Sequence, residues 1–128
     1  IATMSSHGIT FTGNRIQVGA SSSDVTTLTD QAIITADFGA SANFAVTLAG
    51  NRTFANPVNL VAGQSGSIFV TQDGTGSRTL SFGAKFHFVG GTAPTMTTTA
   101  SAVDRVDYIV KSTDVIHAVV SLDVKATG

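Results

Sequence analysis

The chain predicts an all-β fold: an antiparallel β-sandwich or barrel, jelly-roll-like, with an N-terminal hairpin arm. Three observations carry this. Apolar and polar residues alternate at two-residue spacing through much of the chain, the spacing of a half-buried strand. Gly, Asn, Asp and Ser punctuate that alternation about every 8 to 12 residues, as in sandwiches and barrels. All 8 acidic residues are Asp, which favours turns and caps, and Glu, which favours helix interiors, is absent.

The elements follow in order. Ile9 and Phe11 alternate with Thr10 and Thr12, Gly13-Asn14 turns the chain, and Ile16 and Val18 alternate again. This predicts a hairpin around Thr12-Gly13-Asn14. Ala20 to Asp24 reads as a Ser-rich linker, so residues 1–24 form an arm and residues 25–128 the sandwich domain. A two-stranded hairpin is too small to stand alone in water. Packing on a partner chain is the favoured way to cover it.

Strands are expected at Val25–Leu28, Ala32–Ala36 and Asn43–Leu48; in the last, Phe44, Val46 and Leu48 share one face. Asn56-Pro57 follows Asn51–Phe54 and argues against a central strand there. Gly63 to Gly66 is a turn, and Ser67–Gln72 and Thr79–Phe82 are strands. Asp73-Gly74-Thr75-Gly76-Ser77 between them reads as a hairpin loop. Phe86 and Phe88 share a face, with Lys85 and His87 opposite, before Gly90 to Pro94 breaks the chain. Thr97-Thr98-Thr99 suits an exposed loop or edge. Ala100 to Asp104 has the residues for one helical turn, but a strand carrying Val106, Tyr108 and Val110 follows at once. Ser112-Thr113-Asp114 turns into a last strand, in which Ile116, Ala118, Val120, Leu122 and Val124 alternate. No internal repeat is visible.

A length of 128 residues suits one domain able to bury a core. Charged residues make up 12%, about half the usual share. Short neutral polar residues take their place, as on secreted and virion β-proteins. The formal net charge of -1 leaves no basic excess for nucleic acid. No apolar run approaches the roughly 20 residues of a membrane span, so membrane insertion is not expected. The chain opens on Ile1 without a signal-peptide pattern, consistent with a portion of something longer. With no Cys, disulfides and thiolate metal sites are excluded.

The search for chemistry yields little. His7, His87 and His117 fall on different elements and suit a solvated surface. A metal site would need copies of one His, at 87 or 117, brought together on a subunit axis. The Asp73 loop lacks the alternating ligands and closing Glu of a calcium loop and reads better as a turn. Asp104 and Asp107 would face opposite ways on a strand, whereas glycosidase chemistry needs two acids across one cleft. No Trp and one Tyr leave no sugar-stacking platform. No G-x-S-x-G or phosphate-binding glycine motif occurs. Asn51-Arg52-Thr53 fits a glycosylation sequon, read here as a chance match, and no Lys and acid single themselves out for an isopeptide bond. Arg52 and Arg78 follow turns; each pairs with a rim Asp or bridges to another subunit.

Several segments in order, namely Thr47–Thr53, Asn56-Pro57, Ala62–Gly66, Val70–Asp73, Gly76–Leu80, Gly90–Pro94 and Ala102–Asp104 before a Tyr-bearing strand, resemble a module of bacteriophage minor tail, tail-fibre and head-fibre proteins. The module is also similar to fibre or spike components of gene transfer agents. The resemblance spans about Thr27 to Val119. Family members often carry Trp and Pro where this chain has Lys85 to Val89. The resemblance implies a non-enzymatic, trimeric virion domain with no catalytic residues and no cofactor. It leaves head or tail open; the role expected first is a spike or fibre projecting from the particle and touching the host surface, with its polysaccharide as ligand, alongside other virion proteins. The alternative is a capsid decoration or cement protein. The expected trimer interface uses Ile9, Phe11, Phe86 and Phe88.

Overall fold

The computed structural model describes residues 19–128 fully, and Thr3–Ser5 and Gly8–Thr10 as strands. Those two, β1 (Thr3–Ser5) and β2 (Gly8–Thr10), pair antiparallel with Met4 opposite Ile9. The turn expected at Thr12-Gly13-Asn14 and the return strand at Ile16–Val18 lie outside the described residues.

The body then alternates between two layers. In chain order the strands are β3 (Val25–Thr27), β4 (Ile33–Ile34), β5 (Asn43–Leu48), β6 (Arg52–Phe54), β7 (Ser65–Gln72) and β8 (Leu80–Phe82). After them come β9 (Phe86–Phe88), a 3-10 turn at Val89–Gly91, β10 (Val103–Ser112) and β11 (Val115–Ser121). One sheet has the order β3-β5-β7-β10-β11-β9; the other is β4-β6-β8. The sandwich is therefore all-β, as expected.

Its pairing is mixed, not uniformly antiparallel. β3, β5 and β7 are parallel neighbours in one sheet, and β4, β6 and β8 are parallel neighbours in the other. Each strand is followed by one in the opposite layer, so the chain winds through three coils, β3–β4, β5–β6 and β7–β8. Parallel neighbours need a long crossover, and here the strand in the other layer supplies it. The fold is thus a short two-layered solenoid instead of a jelly roll. The antiparallel ladders β7–β10 and β10–β11 close its C-terminal side. β9 returns parallel to β11 as the far edge.

Several expectations change for this reason. Asp73 to Ser77 is a corner between layers and not a hairpin loop, because β7 and β8 lie in different sheets. Arg52–Phe54 is the central strand of the smaller sheet, since Pro57 falls beyond its end. Ala100 to Asp104 makes no helical turn: Ser101 has φ 63 and β10 begins at Val103. The last strand ends at Ser121; Leu122 and Val124 are exposed, and Asp123, at φ 49, turns the chain aside.

The core lies between the layers. Phe44, Val46 and Leu48 of β5 face in, as their alternation predicts, and meet Ile68, Val106, Val110 and Ile116 from the same sheet and Ile34 and Phe54 from the other. Phe38 stacks on Tyr108 at 4.6 Å and on Phe44 at 5.5 Å. The Tyr108 hydroxyl donates to the Ala42 carbonyl at 2.5 Å, tying β10 to the corner before β5. Burial pushes the Tyr108 phenol upward. Gly66 makes this approach possible, because a Cβ there would collide with the Ala42 carbonyl.

Candidate functional site

Two depressions flank β9, beside the 3-10 turn and β11. Three parallel pairs set the local register: Ile116 with Phe86, His117 with His87, Ala118 with Phe88. The strand pleat sends alternate residues to opposite faces. Phe86, Ile116 and Ala118 are buried, so His87 and His117 are both turned outward. Their rings lie side by side, with centroids 6.3 Å apart and planes 21° from parallel. Sequence reading placed these two histidines on separate elements and did not join them. The missing signal was a parallel pairing between strands 30 residues apart.

The two imidazoles border a shallow depression of about 430 Å³, lined also by Val89, Asp107, Ile109 and Val119. Its walls are mainly apolar. Val89 is 87% exposed, Val119 59% and Ile109 51%. Ile109 stands opposite His117, and Val119 opposite Asp107, so these side chains form one continuous outer patch. Exposed apolar side chains gathered in one depression, and not scattered singly, offer a surface for contact.

On the other side of β9 lies a second depression of about 510 Å³, bounded by Phe82, Phe86 and Phe88. These rings continue a chain of aromatic contacts. Phe54 meets Phe86 edge-on at 5.7 Å, and Phe82 meets Phe86 at 5.3 Å and Phe88 at 5.0 Å. Phe86, expected at a subunit interface, is 6% exposed and belongs to the chain's own core. The cause is its register with Ile116, which turns both inward. Phe88 is half-buried and borders the depression. Ile9 lies on β2; Phe11 lies outside the described residues.

The acidic residues are engaged in holding the fold. Asp104 is 2% exposed and accepts the backbone N–H groups of Thr97 at 2.7 Å and Asp123 at 2.8 Å. Asp107, three residues on, faces out and accepts from Ser67 Oγ at 2.6 Å and Arg105 Nε at 2.9 Å. Partial burial pushes its carboxyl up, but the bonds from Ser67 and Arg105 outweigh this and hold it below the usual range. Asp104 and Asp107 therefore flank no common cleft.

Arg52 forks onto Asp30 with bonds of 2.8 and 2.7 Å, joining the first coil to the second. Arg78 pairs with Asp73 at 2.9 Å across the third corner. Both arginines are thus satisfied within the chain, and the rim-pair alternative holds. Asp73 also accepts from Gly76 N at 2.9 Å and Thr75 N at 3.1 Å, the geometry of a carboxylate-capped turn. The Arg78 bond, then the Gly76 and Thr75 amides, lower its carboxyl to about 2. Among the described residues no three His, Cys, Asp or Glu converge as a metal cluster, and no helix is long and apolar enough to cross a membrane.

What this arrangement offers is a rigid layered scaffold with an outward apolar and imidazole face. Residues 34–111 match the family model described as "putative phage tail fibre C-terminal domain". That span runs from Ile34, the last residue of β4, to Lys111, one residue short of the end of β10, and includes the solenoid strands β5 to β8. No curated protein and no solved structure matches the chain.

Proposed function

Because the chain belongs to the phage tail fibre C-terminal domain family, we propose that it is a non-enzymatic fibre-end domain that contacts the host surface. Its setting is the virion, as part of a tail fibre and in association with other virion proteins. The single observation that carries the proposal is the family match across both layers of the sandwich. It favours a fibre over a capsid decoration protein.

Physical features support contact as the task. Thr27, Thr47, Ser65 and Ser81 stand exposed on the strands and Asn51 and Asn59 on the corners between them, short neutral groups suited to hydrogen bonding with polysaccharide. Weak single sites gain strength when several copies engage together. A homotrimer would provide those copies. The proposed contacts between copies are the half-buried Phe88 and the N-terminal segment bearing Ile9 and Phe11.

The test is competition. Cells that the parent particle infects are incubated with the purified chain before the particle is added. Slower particle adsorption is expected, with no shortening of the host polysaccharide. Unchanged adsorption at saturating chain would refute host contact, and release of shorter polysaccharide fragments would refute the non-enzymatic reading. Sedimentation equilibrium at micromolar concentration is expected to give the trimer mass; a stable monomer would contradict it.

A further inference from the structure

We propose that His87 and His117 form a two-imidazole site for a divalent transition-metal ion of the kind imidazole prefers, such as zinc, copper or nickel. The site lies within one chain. It depends on the register of β9 and β11 and not on the proposed function.

The geometry is set by the sheet. His117 sits directly opposite His87 in a parallel ladder, with buried Ile116–Phe86 on one side and Ala118–Phe88 on the other. Those flanking pairs prevent either strand from slipping, because a one-residue slip would turn Phe86 and Ile116 into solvent. The Ile116 N–H also donates to the Lys85 carbonyl at 2.8 Å, anchoring the start of the pairing. Both imidazoles therefore leave the same face at fixed spacing. Their centroids are 6.3 Å apart and their planes nearly parallel.

A bridging ion requires the two ligating nitrogens to lie within about 4 Å, twice the Zn–N bond of about 2.0–2.1 Å. Exposed side chains reach this by changing rotamer, since both rings border open space and not packed core. Imidazole nitrogen suits zinc, copper and nickel, whereas magnesium and calcium prefer oxygen. Two protein ligands leave the remaining positions to water. The consequence for the fold is a clamp: β9 is an edge strand of three residues paired only to β11, and a shared ion would pin it.

The experiment titrates the full chain, free of any histidine tag, with zinc, copper and nickel salts by calorimetry, and follows thermal unfolding with and without each ion. One ion per chain and a higher unfolding midpoint are expected for at least one metal. His87→Gln and His117→Gln should each weaken binding by about tenfold or more, because losing even an outer partner of a metal ligand costs about 10- to 100-fold. Each variant should also lose the thermal shift. His7→Gln, outside the pair, should bind as the parent does. The ion-free unfolding midpoints of the variants, expected to equal the parent's, exclude misfolding as the cause. The proposal is overturned if no metal binds, if either single variant at 87 or 117 keeps the parent affinity, or if binding saturates at one ion per two or three chains.

Discussion

Removing the Asp104 carboxylate should cost far more than removing that of Asp107, although the two are three residues apart on one strand. Asp104 is buried and is the acceptor for two backbone N–H groups, those of Thr97 and Asp123. Asp104→Ala leaves both donors without a partner. A buried donor left unpaired costs about 1–3 kcal/mol, so the pair costs about 2–6 kcal/mol. The lower end applies where the tail after Ser121 frays and the Asp123 amide finds water. Asp104→Asn keeps one carbonyl oxygen but presents an N–H₂ group to the second donor, and about 1–3 kcal/mol is expected. Asp107→Ala removes a partly exposed ion pair with Arg105, whose side chains are 42% and 39% exposed. Such pairs contribute about 0–1 kcal/mol. Urea unfolding measures these differences, read as a shift in midpoint at constant slope. Hydrogen exchange adds a local check: the Val124 amide, bonded to the Val103 carbonyl at 2.8 Å, should lose protection in Asp104→Ala. An Asp104→Ala protein within about 0.5 kcal/mol of the parent, the range of ordinary surface changes, would refute the reasoning. So would equal losses at the two positions.

Acid should destabilise the domain late. The carboxyls of Asp73, at about 2, and of Asp30 and Asp37 lie below the ordinary Asp value, held there by Arg78, Arg52 and Asn59 respectively. A carboxyl lowered on folding stabilises fully above its unfolded value, about 3.9, and loses that contribution as pH falls through its folded value. The unfolding midpoint should therefore hold near neutrality and fall between about pH 4 and pH 2; a fall complete by pH 5 contradicts this. Phe54→Ala, at a fully buried ring touching Phe82 and Phe86, should cost about 3–5 kcal/mol by urea unfolding, and a loss under 1 kcal/mol would count against the aromatic junction. Gly66→Ala drives a methyl into the Ala42 carbonyl and to 2.8 Å from the Tyr108 hydroxyl. It should lower the thermal midpoint through overpacking of about 1–3 kcal/mol, whereas Gly74→Ala, which meets nothing within 4 Å, should not.

Much of the fold is legible in the residues, and what is not has a physical cause. Alternation identified β5 to the residue and placed Phe44, Val46 and Leu48 inside, because a two-residue period has only two faces to choose between. The same pattern put Val106, Tyr108 and Val110 in the core. Alternation carries no information about direction, however. A strand reads alike whether its neighbour runs with it or against it, so a solenoid of parallel coils was indistinguishable from an antiparallel sandwich. A constant repeat length would have exposed the coils. Here Asn43 lies beside Val25 and Ile68 beside Phe44, steps of 18 and 24 residues. The smaller sheet advances by 20 from Ile33 to Thr53 and by 28 from Thr53 to Ser81. Coils that lengthen by several residues leave no period to find. The adjacency of His87 and His117 was hidden for the same reason, and Phe86, expected at an interface between copies, is drawn into the chain's own core by a partner, Ile116, 30 positions away.

Cryo-electron microscopy of the intact particle, with density assigned to this chain, tests the central claim most directly. Density at the far end of a tail fibre, in the shape of a two-layered β-sandwich, is the result expected. Density spread over the capsid surface between capsomers would contradict it.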